Sequence, residues 1–203
     1  MGKIKLTKGE LKRHRDALKQ YQRYLPTLQL KKQQLQMEIL HQASFLEQKK
    51  QDAEAKRGAI NLWAGLLTDR SLDLKPWARP QKTRVGSRNI AGVDLSVFEG
   101  VEFAFAEYDL FVAPLWVDAA ITALQGLAAL REEISVIEKG MSLLKQELRI
   151  TTQRVNLFEK VKIPESEEAI RIIKIYIGDQ MANAVGRSKI AKRKIEELVS
   201  LAA

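Results

Sequence analysis

The 203-residue sequence predicts a mainly α protein: a long antiparallel two-helix coiled-coil hairpin made by its N- and C-terminal stretches, with a small β-hairpin or irregular cap in the middle. Three observations predict it. Apolar residues recur every seven positions in both terminal stretches, the segment between them is rich in Gly, Pro and β-formers, and each apolar stripe needs cover. Burying a Leu or Ile yields about 1.5–3 kcal/mol, while ordering each residue's backbone costs about 1–2 kcal/mol, so a helix with its stripe in water does not hold. The simplest solution is for each stripe to cover the other. The expected organisation is 1–69 as the N-terminal coiled-coil helix, 70–113 as the cap, and 114–203 as the C-terminal coiled-coil helices with a break at 163–164.

Helix one is expected from Thr7, an N-cap with Glu10 three positions on, to about Leu67. One seam series reads Leu11, Leu18, Leu25, Lys32, Ile39, Leu46, Ala53, Ile60, Leu67 and the other His14, Tyr21, Leu28, Leu35, Gln42, Lys49. Pro26 lies inside it, where a missing N–H and a crowded turn predict a kink or a short break. From Thr68 to about Val112 the helical period disappears. Lys75-Pro76-Trp77-Ala78-Arg79-Pro80 reads as an extended link, and Val85–Val93 and Val101–Phe105 read as short strands. Helix two is expected from Pro114 to about Lys160, with seam series Leu127, Ile134, Met141, Leu148, Val155 and Leu130, Ile137, Leu144, Thr151, Phe158. Ile163-Pro164 interrupts the pattern, and a last helix follows with Glu165, Glu167 and Glu168 in its first turn. Its apolar positions are Ile170, Ile173, Ile177, Met181, Ala184, Ser188, Ala191, Ile195 and Leu198.

Composition narrows function. The chain has no Cys, which excludes disulfides, thiolate metal sites and Cys nucleophiles, and only two His, His14 and His41. No apolar run is long enough to span a bilayer and the N-terminus lacks a signal-peptide core, so a soluble intracellular protein is expected. No P-loop, dinucleotide glycine pattern, His-Glu-x-x-His or Gly-x-Ser-x-Gly occurs, so no catalytic residue, metal or cofactor is expected. The pairs Glu132-Glu133, Glu167-Glu168 and Glu196-Glu197 are helix neighbours pointing about 100° apart, and they read as solvated faces. Trp63 reads as core, whereas Trp77 and Trp116 read equally as core or partner anchors.

The net charge of +9 is concentrated. Residues 1–23 and 171–194 each carry +6, leaving about −3 for the rest. In an antiparallel hairpin the two basic segments would lie side by side at one tip. Lys8, Lys12, Arg13 and Arg15, with Lys3 and Lys5, and Arg187, Lys189, Lys192, Arg193 and Lys194 are the candidate interface residues.

Three blocks resemble the D subunit of the V-type ATPases, vacuolar and archaeal/bacterial. They are Arg154-Val155-Asn156-Leu157-Phe158-Glu159 with Ile163-Pro164, Asn89-Ile90-Ala91-Gly92-Val93-Asp94-Leu95 through Phe98-Glu99, and Thr7-Lys8…Leu11…Leu18 with Leu28-Gln29-Leu30-Lys31-Lys32…Leu35. Ser96 where the family has Pro, Leu157-Phe158 for Ala-Leu, and Pro26 with Gln33-Gln34 mark a divergent branch. The resemblance implies a non-catalytic central-stalk rotor that carries torque between ATP turnover and ion translocation. Its terminal helices would insert into a ring of alternating A and B subunits, the F subunit would bind the lower stalk and cap, and a membrane-rotor adaptor would join it to the ion-carrying ring. It would be cytoplasmic and peripheral to the membrane in a V1-type sector, without direct membrane insertion or nucleic acid. Two other readings share the sequence features. A coiled-coil adaptor would co-purify with an export ATPase, and a nucleic-acid-binding coiled coil would show a steep salt slope, about −0.9 per phosphate on duplex DNA.

Overall fold

The computed structural model describes residues 5–68, 73–109 and 113–202. Positions 69–72 and 110–112 at the edges of the expected cap, and Lys3, lie outside the described residues. The elements are α1 (Lys8–Asn61), a 3-10 turn (Ala64–Thr68), α2 (Lys75–Ala78), β1 (Pro80–Ile90), β2 (Val93–Phe103), α3 (Val117–Leu157), a π-helical segment (Phe158–Lys162) and α4 (Ile163–Ala202). Long N- and C-terminal helices with a two-stranded antiparallel hairpin between them in sequence are the fold class that the heptads predict. The chain divides into two compact units, Met1–Leu30 with Thr152–Ala203, and Lys31–Thr151.

In the unit 31–151, α1 and α3 pair through the seam. Leu35 and Leu144 are fully buried and enclose Leu95 of β2. The polar interruptions of the α1 seam are satisfied within and across the helix pair: Lys49 meets Glu133 at 2.9 Å, and Gln42 donates to Glu38 at 2.8 Å. Glu133 is only 15% exposed, and its neighbour Glu132 accepts a hydrogen bond from Thr83 at 3.2 Å. The Glu132-Glu133 pair is therefore not a solvated face; the hairpin and α1 converge on it. Lys31–Glu147, at 3.0 Å, adds a further partly covered interhelical pair.

The strands differ from the expected Val85–Val93 and Val101–Phe105: the turn falls inside the first of these, β2 takes up Val93–Phe103, and two register shifts let β1 run back past Arg84 and Lys82 to Pro80. A two-residue turn joins them. Ala91 and Gly92 both take positive φ, 51° and 76°, the left-handed pair that matches hairpin twist. Asn89 closes the turn, accepting from the Gly92 N–H at 3.1 Å and donating to Asp94 at 2.6 Å. Ala91 costs about 1 kcal/mol more than Gly in that conformation, and its methyl explains why it is there. Ile90, Ala91 and Val93 pack on the Leu35–Leu95–Leu144 cluster, so the turn seats on the helix seam.

A second cluster in this unit gathers Leu74, Val117, Ala120 and Ile121, with Trp63, Trp77 and Trp116 packed against it. All three tryptophans thus join the core. α3 starts at Val117, three residues after the expected Pro114, whose carbonyl instead accepts the Val117 N–H in a turn. Helix α1 likewise stops at Asn61 and tightens into the 3-10 turn before Leu67.

In the unit formed by 1–30 and 152–203, the cap at Thr7 holds: its hydroxyl accepts the Glu10 N–H at 3.3 Å. Helix α1 runs through Pro26 without the break the sequence admits, with the Thr27 hydroxyl bonded to the Tyr24 carbonyl at 2.8 Å. Tyr21 meets Phe158 with ring centroids 5.2 Å apart, which fixes the antiparallel register of α1 against the C-terminal stretch. No break occurs at 163–164 either. Ile163 stays helical, with φ −67° and ψ −55°, and its N–H bonds the Phe158 carbonyl five residues back. The backbone widens upstream of Pro164 and continues as α4.

Candidate interaction surfaces

The Tyr21–Phe158 contact determines what the basic segments do. Counting back along α1, Lys8 falls opposite about residue 171, which places the basic first turns of α1 beside the acidic opening of α4, Glu165, Glu167 and Glu168. The two basic segments therefore overlap only at their ends, where Lys5 and Lys8 fall opposite about Lys174 and Arg171, and not along their length. Arg187 lies roughly 24 Å further along α4, at 1.5 Å per residue. The physical reason is a difference in reach: α4 continues to Ala202, well past the start of its partner at Lys8.

Burial follows the same register. Ser166, Ala169, Ile170 and Ile173 are buried against α1, Ile177 is half-buried, and every residue from Gly178 to Leu198 is exposed. The apolar series does not stop where the cover does. Met181 (53% exposed), Ile195 (60%) and Leu198 (66%) extend the buried stripe of Ile170 and Ile173 along the same side of the helix, as their 3–4 spacing requires. Arg187, Lys189, Lys192, Arg193 and Lys194 fall at widely separated angles at about 100° per residue, so they ring this stretch as a collar. Lys192 and Arg193 reach Glu196 and Glu197 at 3.7 and 3.6 Å, and the Arg187 guanidinium donates to the Asn183 carbonyl at 3.4 Å. Such exposed i,i+4 pairs are worth only about 0.3–0.5 kcal/mol and leave the side chains available. On α1, Lys8, Lys12, Arg13 and Arg15 are exposed, with Arg13 3.5 Å from Glu10.

Two other apolar surfaces belong to the unit 31–151, and periodicity alone did not reveal them. Met37 and Leu40, each 72% exposed, border a groove of about 580 Å³ lined also by Gln33, Gln36, Ile39 and Leu148. Around the tryptophan cluster, Leu62 (90%), Phe105 (85%) and Leu115 (100%) stand in solvent. Each is off the heptad seam, so the available signal was a large apolar residue outside a seam position. The Tyr108 hydroxyl donates to Asp118 in the first turn of α3, which raises the tyrosine's pKa, and the Trp77 and Tyr108 rings pack at 5.4 Å.

Among the described residues no group of His, Asp and Glu is placed to hold a metal, and no helix is long and apolar enough to cross a membrane. His41 lies in the open at 74% side-chain exposure, 4.0 Å from Glu38. Fold and surfaces define a coiled-coil assembly component, with uncovered apolar stripes on a helical frame. Comparison with known proteins gives the family. The family model for the ATP synthase D subunit matches residues 10–193. The V-type ATP synthase D subunit of Borreliella burgdorferi is 42% identical over 195 residues, covering 96% of each chain. Those of Chlamydia caviae and Chlamydia pneumoniae are 32% and 31% identical, over 96% and 95% of this chain and 94% and 93% of theirs. The chain belongs to the family of V-type ATP synthase D subunits, and so is one component of a multi-protein complex.

Proposed function

We propose that the chain is the central rotor shaft of a V-type ATP synthase, without an active site of its own, and that it carries torque between ATP turnover in a ring of A and B subunits and ion movement in the membrane sector. The observation that carries this reading is the uncovered stretch of α4: an apolar stripe over Met181–Leu198 with a basic collar, past the end of its α1 partner. A stripe of that kind in water calls for a sleeve. The collar suits an acidic lining that changes around the ring as the shaft turns, because charge complementarity steers contact and each ring member can be biased by which residues face it. Arg187, Lys189, Lys192, Arg193 and Lys194 are the proposed ring contacts, with Lys8, Lys12, Arg13 and Arg15 as a second set. The Met37–Leu40 groove is the surface proposed for the F subunit, and Leu62, Phe105 and Leu115 for the adaptor to the membrane rotor. The shaft would lie on the cytoplasmic side, peripheral to the membrane.

Reconstitution with A and B subunits tests the reading. One copy should dock per hexamer, and a chain ending at Gly178 should retain its α1–α4 packing but lose docking. Neutralising all five α4 basic residues should lower the ion moved per ATP turned over. Undiminished coupling in that variant would remove the collar's role, and full-strength docking of the truncated chain would remove the shaft assignment.

A further inference from the structure

The seam holds a step that the heptads do not account for. From Leu148 to Val155 and from Thr151 to Phe158 the interval is seven residues, but from Val155 to Ile163 and from Phe158 to Ser166 it is eight. Seven-residue steps then resume at Ile170, Ile173 and Ile177. One residue too many in a regular α-helix turns everything beyond it by about 100°, which would carry Ile170 and Ile173 out of the seam. They are 8% and 0% exposed, so the extra residue is absorbed, and the π-helical segment Phe158–Lys162 is where.

Pro164 explains why the widening falls here. In an α pattern the Lys160 carbonyl would face the proline ring and have no N–H to accept; shifting to bonds five residues apart offers it the N–H of Glu165. The Ile163-to-Phe158 bond is one of that wider set, and the Ser166 hydroxyl, 5% exposed, secures the Lys162 carbonyl at 2.7 Å. On the facing helix Pro26 removes a backbone bond of its own, five residues from Tyr21, whose ring rests on Phe158 at the first position of the π segment. By that register Pro26 falls opposite about residue 153, so the two defects flank the Tyr21–Phe158 contact on opposite sides, about two turns apart. Sharp bends and local openings concentrate at such places, because fewer bonds must break there.

We propose that residues 21–27 and 158–164, which extend to either side of the Tyr21–Phe158 contact, form a staggered built-in joint, at which this helix pair flexes and opens locally while α4 beyond it keeps its own packing. The joint lets the uncovered part of α4 swing without unzipping Ile170 and Ile173. It rests on the backbone of this unit and not on the partners proposed above.

Hydrogen exchange on the full-length chain decides it. Amides at 159–163 should exchange at least tenfold faster than those at 167–175, although the latter are nearer the chain end, and amides at 23–28 faster than those at 12–20. Deleting Val161, which is 39% exposed, together with Pro164→Ala restores the seven-residue step and an unbroken α pattern. Exchange at the joint should then slow to that of its neighbours. Pro26→Ala should do the same on α1 alone and keeps the experiment decisive if the deletion variant does not fold. Wild-type exchange at 159–163 within threefold of 167–175 would overturn the proposal, as would variants that leave a fast joint unchanged.

Discussion

Replacing Leu144 with Ala removes the side chain on which the helix pair and the hairpin meet. Leu144 and Leu35 are both at 0% exposure and Leu95 is at 6%, one residue each from α3, α1 and β2, with Ile90, Ala91 and Val93 of the turn packed around them. Three elements held by one contact cannot collapse together to fill the vacancy, so the change should cost near the upper part of the large-to-small range, about 3–5 kcal/mol. Against a domain stability of about 5–15 kcal/mol, this is about a fifth of the total or more. Urea denaturation followed by far-UV circular dichroism measures it, and Leu143→Ala is the internal control. Leu143 is the neighbouring residue but is 48% exposed, and its loss should cost under about 1 kcal/mol. Because Leu144 and Leu95 share one pocket, Leu144→Ala combined with Leu95→Ala should cost less than the two single changes added. Equal costs for positions 143 and 144, or strict additivity of 144 with 95, would refute the seating of the hairpin on the seam.

Other outcomes follow from the register and the partly covered charges. With no native Cys, cysteines at Tyr21 and Phe158 should be bridged by a short bifunctional maleimide, whereas Leu18 and Ala191 should not, since the register sets them roughly 45 Å apart along α4; the reverse pattern would mean the helices pair tip to tip. Glu133→Gln should destabilise by about 1–2 kcal/mol, because it leaves Lys49 facing a neutral group at a site where both side chains are mostly covered; a neutral effect in the same urea assay would show that the pair is solvated. Arg171 bonds Glu168 at 2.6 Å and holds its carboxyl below the usual glutamate range. Since the folded value is the lower one, the small stabilisation is present at neutral pH and disappears as pH falls through the depressed value. A carboxyl-carbon NMR titration should show the depression, and Arg171→Gln should abolish it.

Much of the site's frame was legible in the chain itself. Every seam position named from the heptads in α1 and α3 is buried or half-buried, including the polar ones, Lys32, Gln42, Lys49 and Thr151. That works because period is local: residues three and four apart share a helix face whatever the partner is. The turn at Ala91–Gly92 was not legible: the sequence pattern predicts a strand from Val85 through Val93, because Ala carries no mark of left-handed backbone and only its packing on the seam explains it there. The candidate basic residues were legible as a composition. Their arrangement as one tip was not.

What sequence determined, then, was which residues face a seam, that Thr7 caps the first helix, that a β segment lies between the long helices, and the family. What the tertiary structure decided was how the faces are used. Register between two helices is fixed by contacts such as Tyr21 on Phe158, far apart in sequence, and these place the start of α1 beside the acidic opening of α4 and leave Met181–Leu198 uncovered. The eight-residue step could be counted in the chain, but a stutter, a break and a π turn all satisfy such a count. Only the buried Ile170 and Ile173, which cannot leave the seam without exposing their side chains, select the π turn.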